Sequence, residues 1–121
     1  MAVKVGINGF GRIGRLVFRA GYKNKDIDFI AVNDLPVGTS TLAHLLKYDS
    51  NFGELPEKVE AKDNSLLVDE KEIKVLSYKS PAEIPWKDFG VEIVIESSGV
   101  FTEKEKAIGH IQNGGAKKII I

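Results

Sequence analysis

The chain has 121 residues, with 17 Lys+Arg against 17 Asp+Glu, 43% hydrophobic residues, 12 Gly and no Cys. That length suits one domain with a real core, and the neutral balance argues against a chain that coats nucleic acid or an anionic membrane. Within these residues the missing cysteine excludes a disulfide scaffold, a thiolate zinc site, an iron–sulfur cluster and a cysteine nucleophile. No apolar run nears the ~20 residues of a membrane span and no basic-then-apolar leader opens the chain, so the expectation is a soluble, cytoplasmic protein.

Val3, Val5 and Ile7 alternate and run into Asn8-Gly9-Phe10-Gly11, which predicts a short strand. Ile13, Leu16, Val17 and Ala20 then fall at helical spacing, predicting a helix that ends near Gly21. From Asp26 to Asp34 the residues Ile27, Phe29, Ile30, Ala31 and Val32 leave little polar surface on either face, as in a strand of a covered parallel sheet. Strand, helix and strand in about 30 residues make a βαβ unit.

Leu35 to Gly38 reads as a loop, with Ser40 or Thr41 placed to cap a helix carrying Leu42, Leu45 and Leu46. Segments around Val59, Leu66–Val68 and Ile73–Leu76 are split by Lys62-Asp63-Asn64 and Asp69-Glu70-Lys71, which predicts a small antiparallel meander. Glu70 and Glu72 read as a solvated turn. Pro81 to Phe89 reads as a short helix or turn, and Val91, Ile93, Val94 and Ile95 as a further buried strand. Thr102 and Glu105 form a capping box for a helix with Ala107, Ile108 and Ile111 inward, stopped by Gly114-Gly115. Lys117 to Ile121 starts one more strand. The expected fold is a Rossmann-like, doubly wound α/β domain over residues 1–121. Its sheet is mainly parallel with a small antiparallel meander, and it is truncated at its C-terminal end.

Gly9-Phe10-Gly11-Arg12-Ile13-Gly14 is a G-x-G-x-x-G motif between a strand and an amphipathic helix, the context in which it signals dinucleotide binding. Gly9 allows the tight turn, Gly11 lets backbone approach a pyrophosphate, and Gly14 lets helix and strand pack closely. Asp34 follows about 20 residues on, where a carboxylate accepts hydrogen bonds from ribose hydroxyls and repels a 2′-phosphate, favouring NAD over NADP. Ser97, Ser98 and Gly99 end a strand where ligands of open α/β sheets sit. Phe101 is open to two roles, a cover for the adenine or a core residue before a helix. Arg12 stands within reach of phosphates, whereas Arg15 and Arg19 read as solvated or paired with another subunit. His44 and His110 lack ligand-spaced companions and read as surface histidines, so no metal site is expected.

The stretch Ile7 to Arg15 closely resembles the phosphorylating glyceraldehyde-3-phosphate dehydrogenases. The resemblance continues through Val32-Asn33-Asp34-Leu35, Leu42 to Ser50 and Glu96 to Thr102. It implies an NAD-binding domain in which positions Gly9, Phe10, Gly11, Arg12 and Ile13 hold the pyrophosphate. Asp34 is then the ribose-binding acid, and Asn33 lies beside the adenine. Ser97, Ser98, Gly99 and Phe101 match the wall of the adenosine pocket. Lys79 stands where the family usually has Arg, which leaves some use of NADP open, and Ser98 stands where Thr is usual. The family's catalytic thiol, its activating histidine and its substrate-binding residues match no position here, so the resemblance implies a cofactor-binding part without catalysis of its own. It also implies a homotetrameric parent enzyme. The apolar Ile119-Ile120-Ile121 of the last strand predicts an exposed apolar edge and self-association of this part. The erythrose-4-phosphate dehydrogenases look similar over the same stretch, and a stand-alone nucleotide-binding module is the other reading.

Overall fold

The computed structural model describes residues 2–34, 38–49, 53–56, 58–69, 71–78, 84–97, 115 and 117–120. The helix expected from Thr102, and the positions Lys79, Ser98, Gly99 and Phe101, lie outside the described residues.

Strand β1 (Val3–Asn8) turns through Gly9, which holds φ +95°, into helix α1 (Arg12–Gly21), and the chain returns as β2 (Ile27–Asn33). Helix α2 (Thr39–Lys47) follows. A two-stranded pair, β3 (Tyr48–Asp49) and β4 (Gly53–Glu54), leads to the meander β5 (Val59–Ala61), β6 (Ser65–Val68) and β7 (Lys71–Leu76). A 3₁₀ turn over Trp86–Phe89, closed by left-handed Gly90, precedes β8 (Ile93–Glu96), and β9 (Lys118–Ile120) completes the described strands.

These strands form a seven-stranded sheet in the order β5-β6-β7-β2-β1-β8-β9. The pairs β1–β2, β1–β8, β2–β7 and β8–β9 are parallel, and β5–β6 and β6–β7 antiparallel. The expected α/β architecture is therefore present, and the meander is part of the main sheet because β7 pairs with β2. From β1 the chain winds outward through β2, then returns to the other side of β1 as β8. The strand order thus reverses between β1 and β8, the position where α/β sheets place ligands.

Alternation along β1 divides the core. Val5 and Ile7 face α1 and join Phe10, Phe18, Phe29, Leu42, Leu46 and Leu66. Gly6 faces the other way, where Trp86 packs with Ala31, Ile84, Val91 and Val94. A Cβ on Gly6 would lie 2.4 Å from the Trp86 ring, so the strand has room there only for glycine.

The helices differ from their expected faces. Gly14, Phe18 and Gly21 form the buried stripe of α1, while Ile13 is 60% exposed and Ala20 faces solvent. The cause is close approach: a Cβ on Gly14 would meet the Gly9 carbonyl oxygen at 2.2 Å, and one on Gly21 would meet the Phe29 ring at 3.2 Å. Helix α2 starts earlier than Ser40 or Thr41 would cap it, with Gly38 (φ +89°) at its N-terminal boundary. Thr39 instead donates its hydroxyl to the Lys62 carbonyl. Ala43 is buried beside Leu42 and Leu46, and Leu45 is turned outward. No helix among the described residues is long and apolar enough to cross a membrane.

Candidate functional site

The site is built where β1, β2 and β8 end. In the first turn of α1 the backbone N–H groups of Arg12, Ile13 and Gly14 precede the first helical hydrogen bond, which runs from the Arg15 N–H to the Gly11 carbonyl. Those N–H groups and the helix dipole make an anion-binding end. Gly11, at the N-terminal boundary of the helix, has open space where a Cβ would stand, which leaves room for a phosphate against the backbone. Arg12 and Ile13 are both exposed beside it.

The rest of the loop is tied down from several directions. The Gly9 N–H donates to the Asn33 carbonyl at 2.7 Å, and the Ser97 hydroxyl donates to the Gly9 carbonyl at 2.7 Å. The Phe10 N–H donates to Asp34 Oδ2 at 3.2 Å, and the Phe10 carbonyl accepts from Arg15 Nη1 at 3.1 Å. The Phe10 ring is buried, edge-on to Phe18 at 6.1 Å between centroids, so its side chain anchors the loop from beneath. Asp34 itself stands at the end of β2, held by its N–H to the Leu76 carbonyl, with its carboxylate against the glycine turn.

Of the predicted site residues, the structure brings Gly9, Phe10, Gly11, Arg12, Ile13, Asn33, Asp34 and Ser97 to this one end of the sheet. Asn33 and Ser97 turn their side chains into the protein: Asn33 is buried, and the Ser97 hydroxyl is spent on the glycine turn. Two further polar residues, Asn8 and Glu96, are buried beneath the turn at the ends of β1 and β8. Asn8 Nδ2 donates to Glu96 Oε1 at 2.6 Å, and Asn33 Nδ2 donates to Asn8 Oδ1 at 2.8 Å. No sequence motif singles out either residue. The available signal was a polar residue closing an otherwise apolar strand, since a buried polar group needs a partner.

Arg15 and Arg19 are not solvated spectators. Arg15 braces the turn through Phe10, and Arg19 Nη2 lies 2.8, 3.1 and 2.9 Å from the Leu46, Lys47 and Gly53 carbonyls. Arg19 thus serves the carbonyls that end α2, where a cation is favoured. His44 is exposed and packs on the Tyr48 ring at 5.0 Å between centroids.

A dinucleotide fits this end on three counts: unpaired helix N–H groups, space over Gly11, and an acid beside the turn. The family described as "Glyceraldehyde 3-phosphate dehydrogenase, NAD binding domain" matches residues 3–104. The chain belongs to that family. Its cofactor is accordingly NAD. Among curated relatives, the glyceraldehyde-3-phosphate dehydrogenase of Thermotoga maritima is 60% identical over 98% of this chain and 35% of its own length. Those of Geobacillus stearothermophilus and Yarrowia lipolytica are 56% and 52% identical over the whole chain and 36% of their own length. The chain therefore spans about a third of the length of these glyceraldehyde-3-phosphate dehydrogenases.

Proposed function

We propose that this chain holds the adenosine diphosphate half of NAD, with the pyrophosphate on the turn from Gly9 to Ile13 and the adenosine ribose on Asp34. The observation that supports this reading is the Asp34 carboxylate accepting from the Phe10 N–H, which joins Asp34 to the glycine turn. Arg12, exposed in the first turn, adds positive charge toward the phosphates. Asn33 and Ser97 contribute by holding the walls in register. Lys79, Ser98, Gly99 and Phe101 complete the adenosine pocket in this reading. A carboxylate at Asp34 disfavours a 2′-phosphate, so NAD is preferred over NADP.

The intact protein is then an NAD-dependent dehydrogenase of the cytoplasm, a homotetramer that oxidises and phosphorylates glyceraldehyde 3-phosphate. Bound NAD supplies the hydride acceptor. This chain has no cysteine, so it contributes no thiolate nucleophile, and the 121 residues alone bind cofactor without turnover. By itself the chain also self-associates. An apolar groove of about 480 Å³ runs beside α1, lined by Val17, Ile27, Phe29, Ile93, Ile95 and Ile120, and apolar patches of this kind seek partners.

The test is calorimetric titration with ADP-ribose, which lacks the nicotinamide. Asp34→Ala is expected to weaken binding about tenfold or more, the scale of a lost hydrogen bond to a charged group. Unchanged affinity in a folded variant removes Asp34 from the site.

A further inference from the structure

Beneath the phosphate-binding turn lies a run of hydrogen bonds that neither the glycine motif nor the ribose acid requires. It starts at Tyr78, just after β7. The Tyr78 N–H donates to Asn33 Oδ1 at 2.8 Å, and Asn33 Nδ2 donates back to the Tyr78 carbonyl at 2.9 Å. It continues from Asn33 Nδ2 to Asn8 Oδ1, and from Asn8 Nδ2 to Glu96 Oε1. Asn8, Asn33 and Glu96 are all buried, with Glu96 only 6% exposed.

The polarity of this run is forced. A backbone N–H can only donate, so Tyr78 fixes Asn33 Oδ1 as its acceptor. The Asn33 amide nitrogen must then face Asn8 Oδ1, which turns the Asn8 amide nitrogen toward β8. Whatever stands at position 96 must accept. The Glu96 carboxyl oxygen Oε1 does so at 2.6 Å. The run links three adjacent parallel strands, β2, β1 and β8, across the point where the strand order reverses. Asn8, at its centre, precedes Gly9 of the glycine turn, and Tyr78, at one end, follows β7.

We propose that Glu96 is a positioning residue for the dinucleotide, the acceptor that completes the Glu96–Asn8–Asn33–Tyr78 relay and so holds the phosphate turn and the segment after β7 in one mutual arrangement. A ligand that spans both regions gains from the relay because the cost of aligning them is met before it binds. A ligand that occupies the adenosine region alone gains little. Glu96 touches no part of the ligand in this scheme, and it acts through Asn8. The proposal rests on placing the adenosine diphosphate over Gly9–Ile13 and Asp34.

The experiment measures adenosine and ADP-ribose affinities of the intact protein by titration calorimetry for wild type, Glu96→Gln and Glu96→Leu, with Asp34→Ala alongside. Glu96→Gln retains an acceptor oxygen and is expected to stay within about threefold of wild type for both ligands. Glu96→Leu leaves the Asn8 amide without its acceptor and is expected to lose about tenfold for ADP-ribose, with adenosine much less affected. The ratio of the two affinities is the decisive readout, because general loosening of the fold weakens both ligands alike. Equal losses for the two ligands, or Glu96→Gln failing as badly as Glu96→Leu, overturn the relay. If Glu96→Leu does not fold, Asn8→Ser breaks the same relay at its centre and is read by the same ratio. Asp34→Ala separates the two layers: no effect there overturns the ligand placement, whereas a normal loss there with an unchanged ratio in Glu96→Leu overturns only the relay.

Discussion

Gly14 shows how one missing side chain serves both fold and site. Its Cα approaches the glycine turn so closely that an added Cβ would sit 2.2 Å from the Gly9 carbonyl oxygen and 3.0 Å from the Ser97 hydroxyl. Both neighbours belong to the hydrogen bond that pins the turn to β8. Alanine is favoured over glycine within a helix by about 1 kcal/mol, but relieving this overlap means moving backbone, at about 1–3 kcal/mol. The steric term wins, so Gly14→Ala is expected to lower the thermal midpoint and weaken ADP-ribose binding together. A differential scanning measurement with and without ligand reads both. Gly11 offers the contrast, since nothing crowds its Cβ position in the protein itself. Gly11→Ala should leave the stability of the ligand-free protein close to wild type, with the penalty appearing only when ligand is titrated.

At the scale of elements, the joints between helices and sheet carry the informative chemistry. Arg19 projects from α1 to the end of α2 and reaches the Leu46, Lys47 and Gly53 carbonyls with one nitrogen. Replacing it by Met keeps much of the apolar stem and removes the charged donor. Arg19→Met is expected to cost about 1–2 kcal/mol in urea unfolding, reduced from a fully buried value because the side chain is half-buried. The meander has its own pH signature. Glu72 is held below its usual pKa first by the hydrogen bond from the Ser65 hydroxyl at 2.8 Å, then by Lys74. A lowered folded-state pKa stabilises the protein above the unfolded value near 4.5, and that contribution is lost as pH falls through the folded value. Glu72→Gln should therefore flatten the acid side of the stability–pH curve below about pH 5 by a small amount, since the side chain is exposed to solvent screening. Glu72, expected in a solvated turn, lies in β7 with its side chain exposed and bonded to Ser65 and Lys74.

For the whole molecule, the strand order is the informative level. Winding outward from β1 through β2, then back to β8, reverses the order between β1 and β8, where α/β sheets place ligands, and Asn8 and Glu96 end the two strands that flank that point. The same sheet exposes an apolar face beside α1, where Ile120 on β9 is 55% exposed. The isolated 121-residue chain is expected to elute in size-exclusion chromatography as a concentration-dependent mixture, shifted toward monomer by Ile120→Lys. A single monomer peak for the unsubstituted chain at all concentrations would falsify self-association through this face.

The amino-acid order alone determined the βαβ opening, the meander and the glycine turn that opens α1. These follow from short-range rules: β-branched alternation makes strands, and glycines before a helix free its N–H groups. Residues 7–15 and 32–35 also carried the family resemblance. Only the tertiary structure decided which face of α1 is buried, because hydrophobicity scales score Ile13 and Ala20 as core, whereas close packing selected Gly14 and Gly21. It alone gave Arg19 its partners, which come from a separate helix and strand. It also joined Asn8, Asn33 and Glu96, whose strands are adjacent in the sheet although Asn8 and Glu96 stand 88 residues apart in sequence. Local pattern governs what a segment becomes. Strand pairing across the sheet governs which polar groups meet in the dry interior, where each must find a partner.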